Sequence, residues 1–75
     1  MITKTQRKVL EAAARDRVAL SPTEQVWRIT GGPVVRPATI ERLRLAGLAV
    51  PFRGRLVLLA AGRRVLGIEV ADALA

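Results

Sequence analysis

After Gly47 the hydrophobic pattern of this 75-residue chain changes period. Leu48-Ala49-Val50-Pro51-Phe52 and Arg55-Leu56-Val57-Leu58-Leu59 are two β-prone runs, and only Arg53-Gly54 separates them. A two-residue connection ending in Gly favours a hairpin, because the tight hairpin turns need positive φ. Pro51 has no amide to give to a ladder, so its strand belongs at a sheet edge. Most of what surrounds this hairpin reads as helix, which makes the chain α+β.

Thr3-Lys4-Thr5-Gln6 fits a capping box, and Val9, Leu10, Ala13 and Ala14 then recur at helical spacing. Val18-Ala19-Leu20 reads as a brief strand. Ser21-Pro22-Thr23-Glu24 reads as a second helix start, with Ser as cap, Pro at the first position and Glu closing the box. Val26, Trp27 and Ile29 would be its apolar residues, and Gly31-Gly32-Pro33 its end. A third helix is expected from Pro37 to Ala46, burying Ile40 and Leu43, with Gly47 as the left-handed residue past its end. Ala38, Glu41, Arg42 and Leu45 then face outward, with Arg44 on the flank. A last helix is expected over Ala60 to Ala75, weakened at Gly67.

Composition narrows the function. There is no Cys and no His, so zinc, disulfide, thiol and imidazole chemistry are absent, and no spacing of the six acids suggests a paired-carboxylate site. The expectation is a protein that is not an enzyme and takes no metal or cofactor. The chain is 51% hydrophobic but 3% aromatic, with Trp27 as core or core lid, so its core is small and aliphatic. Thirteen Lys and Arg face six acids, giving a net charge of +7 that draws the chain to polyanions. Eleven of the thirteen are Arg, which binds phosphate and guanine bidentately. Residues 1–64 hold every basic side chain and four acids, a surplus of nine, whereas 65–75 hold two acids and no base. No apolar run is long enough to cross a bilayer and no signal segment is visible, so a cytoplasmic location without membrane attachment is expected.

The element order (helix, helix, turn, helix, hairpin, helix) matches the plan of a small winged helix-turn-helix: three-helix core, two-stranded β-hairpin wing and C-terminal helix. Ala38-Thr39-Ile40-Glu41-Arg42-Leu43-Arg44-Leu45-Ala46-Gly47-Leu48 resembles the recognition-helix pattern of winged-helix regulators. Leu58-Leu59-Ala60-Ala61-Gly62-Arg63-Arg64-Val65-Leu66 resembles the segment after the wing in MarR-like transcriptional regulators. The resemblance spans residues 3 to 66. It departs from that family in having Ala60 where a capping Thr is common, and in lacking long dimer-forming flanking helices.

The resemblance implies one winged-helix domain over residues 1–75 that binds double-stranded DNA as a phage or bacterial transcriptional regulator. DNA contacts are then expected from Arg36, Thr39, Arg42 and Arg44 around the third helix, from Arg53 and Arg55 at the wing, and from Arg28 on the second helix. Arg42 is placed to read guanine O6 and N7, whereas Glu41 and Leu45 on the same face suit a groove poorly. The wing pair is the less ambiguous, since charges at a hairpin tip have no packing role. Residues 61–75 would complete the core or offer a homodimer surface. The alternative is a winged-helix protein-interaction module or inhibitor, of phage or mobile-element type, that binds a nucleic-acid-binding partner protein.

Overall fold

The computed structural model describes residues 2–67, which form an α+β unit of three helices and a five-stranded antiparallel sheet. Helix α1 (Lys4–Ala14) starts where the sequence placed it. Thr3 Oγ1 accepts from the Gln6 amide at 3.1 Å, and Gln6 Oε1 accepts from the Thr3 amide at 3.0 Å. Both members of the box are therefore made. The helix buries Val9, Leu10, Ala12 and Ala13, then breaks at Asp16, whose φ of 57° turns the chain into β1 (Val18–Leu20).

The expected second helix is absent. Ser21-Pro22-Thr23-Glu24 forms a turn instead: Ser21 Oγ accepts from the Glu24 amide at 3.2 Å, the Ser21 carbonyl accepts from the Gln25 amide at 2.9 Å, and Gln25 is left-handed at φ 59°. A hydroxyl that bonds the amide three residues on caps a helix or closes a turn equally well. The next residues along the chain decide between them, and Val26, Trp27 and Ile29 are β-branched or aromatic. Strand β2 (Trp27–Ile29) folds back on β1 with Val18 opposite Ile29 and Leu20 opposite Trp27. Gly31-Gly32-Pro33 does not end a helix but turns β2 into β3 (Val34–Val35), with Gly31 at φ 72°.

Helix α2 (Pro37–Leu45) opens on Pro37 and buries Ile40 and Leu43. Its end is a Schellman motif: the Leu48 amide donates to the Leu43 carbonyl and the Gly47 amide to the Arg44 carbonyl, each at 3.0 Å, with Gly47 at φ 73°. Strands β4 (Ala49–Phe52) and β5 (Arg55–Leu58) make the expected hairpin. Arg53 and Gly54 both have positive φ, 52° and 79°, as a type I′ turn requires. The strand order is β3-β2-β1-β5-β4, so Pro51 does lie on an edge strand. Helix α3 (Ala60–Leu66) starts without a side-chain cap; its capping position is Leu59, one residue before the Ala60 expected there, and Gly67 follows the helix in the left-handed conformation. The rest of the expected last helix, residues 68–75, lies outside the described residues.

The core is aliphatic. Leu10, Leu43, Leu56 and Val18 are the largest fully buried side chains, and Trp27 packs half-buried against them as a lid.

Candidate nucleic-acid interface

Strand polarity sorts the loops into two groups. The Leu20 amide donates to the Gly54 carbonyl at 2.7 Å, which puts the Arg53-Gly54 turn and the Ser21–Val26 loop at one end of the sheet. Trp27 pairs with Val35, so Arg36 and the start of α2 emerge at that same end. The Thr30 amide donates to the Arg17 carbonyl at 2.7 Å, placing the α1–β1 connection and the β2–β3 turn at the opposite end.

Of the seven expected contact residues, Arg36, Thr39 and Arg53 lie toward the hairpin-turn end, and they are not equally available. Arg53 is exposed at the hairpin tip, its guanidinium 5.2 Å from the centre of the Phe52 ring. Arg36 is exposed at the residue preceding α2. It offers no side-chain cap, and the first turn of α2 contains no acid; Pro37 has no amide and the Thr39 amide donates to the Arg36 carbonyl at 3.0 Å, which leaves the Ala38 amide for an outside acceptor. Thr39 is half-buried one turn in.

Four sheet positions stand directly opposite one another in register: Arg28 beside Ala19, Ala19 beside Arg55, and Arg55 beside Phe52. The two arginines of this row are engaged within the protein. Arg55 binds Asp16 across the β1–β5 pair. Arg28 was expected on a helix; on β2 it is half-buried, donating from Nη2 to Glu24 Oε1 at 3.2 Å and from Nη1 to the Gly32 carbonyl at 3.5 Å. Arg44 is held too, in a two-pronged contact with Glu41 at 2.7 Å for each hydrogen bond.

That contact sets the electrostatics of the outer α2 face. The hydrogen bond from Arg44, with its charge, holds the Glu41 carboxyl below the ordinary carboxylate range and raises the Arg44 guanidinium. The pair is therefore intact at neutral pH and is lost only as pH falls through the lowered Glu41 value. Arg42 is exposed and lines a groove with Ile2, Gln6 and Val65.

The charge balance explains the pattern. Each of the four acids among the described residues holds an arginine: Glu11 with Arg7, Glu24 with Arg28, Glu41 with Arg44 and Asp16 with Arg55. Nine basic side chains have no carboxylate partner among the described residues. Of the seven expected contacts, Arg36, Arg42 and Arg53 belong to this set. Among the described residues no cluster of acids could hold a metal ion, and no helix is long and apolar enough to cross a membrane. No protein-family model, curated protein or solved structure matches this chain.

Proposed function

We propose that the chain is a double-stranded-DNA-binding module acting in transcriptional regulation, in which α2 and the β4–β5 hairpin serve as the helix and wing of a winged-helix unit whose middle helix is replaced by β2 and β3. One observation carries the reading: Arg36 and Arg53, without carboxylate partners among the described residues, emerge at the same sheet end as the uncapped start of α2. Phosphate oxygens suit both the guanidinium groups and the one free amide, that of Ala38, at the start of α2. The contact is chiefly to backbone, because the outward side of α2 presents Glu41 and Leu45 beside Ala38.

Fluorescence titration of a labelled duplex at 50 mM salt tests this, since phosphate contacts are strongest there and absence of binding removes the proposal. Arg53→Ala is expected to weaken binding evenly across sequences and to lower the salt slope by about one. Arg55→Ala is expected to do less, because Asp16 already holds that side chain. Glu41→Gln is expected to tighten duplex binding and steepen the salt slope by about one, by releasing Arg44. In the unsubstituted protein the same release needs acidification below the ordinary carboxylate range.

The second reading, a protein-interaction module, rests on Leu45 at 70% and Phe52 at 59% exposure. A single partner protein, stoichiometric and resistant to nuclease, would favour it over DNA. The expected homodimer surface over residues 61–75 falls largely outside the described residues.

A further inference from the structure

At the end of the sheet away from the wing, the last turns of α1 and the β2–β3 turn enclose an open groove of about 610 Å³. Its rim carries Lys8, Arg15 and Arg17, all exposed and all without a carboxylate partner among the described residues. Glu11 is the acid in the lining, and it is engaged with Arg7 at 3.7 Å. The opposite wall is the Gly31-Gly32 turn, where no atom lies within 4 Å of a Cβ built on Gly31, so a ligand can approach the backbone. Three unneutralised cations around a cleft with a glycine wall suit a chain of phosphates better than a neutral or cationic ligand.

We propose that this groove seats a nucleic-acid phosphate backbone, as a second contact surface separate from the α2 and wing end. The proposal rests on the DNA-binding reading and adds to it a site formed by Lys8, Arg15 and Arg17. Arginine supplies two-pronged contacts to phosphate, and Lys8 a point charge two turns before Arg15 on α1. Both ends of the sheet then hold backbone, and the two sets of contacts contribute independently.

The test uses the full chain and a labelled 20-base-pair duplex titrated between 50 and 200 mM salt. Arg15→Gln/Arg17→Gln is expected to bind more weakly on every sequence, with a salt slope lower by about two. Adding Arg53→Ala should lower the slope by about one more. Arg63→Gln/Arg64→Gln removes the same charge outside the groove lining and should leave the slope within about half a unit of the parent's. Arg15→Lys/Arg17→Lys should recover most of the binding, and thermal melting confirms that each variant is folded. If the parent binds duplex and Arg53→Ala weakens it while Arg15→Gln/Arg17→Gln does not, the groove proposal is overturned and the DNA-binding reading stands. An equal loss in the Arg63/Arg64 control overturns it as well, because net charge alone then accounts for the effect. A parent protein that binds no duplex at 50 mM salt removes the DNA-binding reading itself.

Discussion

Gly62→Ala is expected to lower the melting temperature by about 4–16 °C, or to prevent folding. A Cβ on Gly62 would lie 2.2 Å from the Leu48 carbonyl oxygen and 2.8 Å from Leu58 Cδ1. The leucine tip can move, but the carbonyl cannot. It accepts from the Leu59 amide at 2.9 Å and sits between the Schellman end of α2 and the first residue of β4. Relief therefore requires α3 to lift off the hairpin. Overpacking of this kind costs about 1–3 kcal/mol and more when backbone is the obstacle, whereas alanine's helix propensity returns only about 1 kcal/mol. In a domain of this size each kcal/mol is worth about 4–8 °C. A Gly62→Ala protein that melts at or above the parent temperature would show that α3 does not press on Leu48.

Leu10→Ala is expected to cost about 2–5 kcal/mol, the range for a buried leucine cut back to alanine. Leu10 has 0% exposure in α1 and belongs to the same core cluster as Leu43 and Leu56. The whole domain has only about 5–10 kcal/mol of stability to lose, so the variant should be largely unfolded at moderate urea. Leu45→Ala is the matched control. At 70% exposure it should change stability by less than about 0.5 kcal/mol. Urea midpoints from circular dichroism measure both, and similar losses at the two positions would contradict the assigned core.

The features legible in the sequence are those decided by neighbours a few residues apart. The Thr3–Gln6 box, the Gly47 helix end and the Arg53-Gly54 turn each depend on one local hydrogen-bond pattern or one positive φ. The 21–29 segment was not legible, because its local signal fits a helix start and a turn alike. Pairing with β1 settles it, and that is a tertiary fact. The site shows the same division. Arg53 at the hairpin tip follows from the turn, but the loss of Arg55 to Asp16 joins residues 39 apart in sequence. Glu41 and Arg44 have the spacing of a helical ion pair, which sequence reasoning registered only as charges on a face. The groove of Lys8, Arg15 and Arg17 had no sequence signal, since its far wall exists only because residues 27–35 form strands. Gly62 read as part of a helix opening, and its packing role appears only once Leu48 lies beneath it.

The two margins of the sheet have a consequence for behaviour at high concentration. β3 is two residues long, and β4 carries Pro51, which has no amide to donate. Short margins and proline deny an incoming chain a continuous row of free backbone groups, and so oppose strand-by-strand growth between molecules. A sequence that is 51% hydrophobic with several β-prone runs would otherwise be a candidate for fibril assembly. These blunted margins therefore let concentrated molecules lie side by side without joining their sheets.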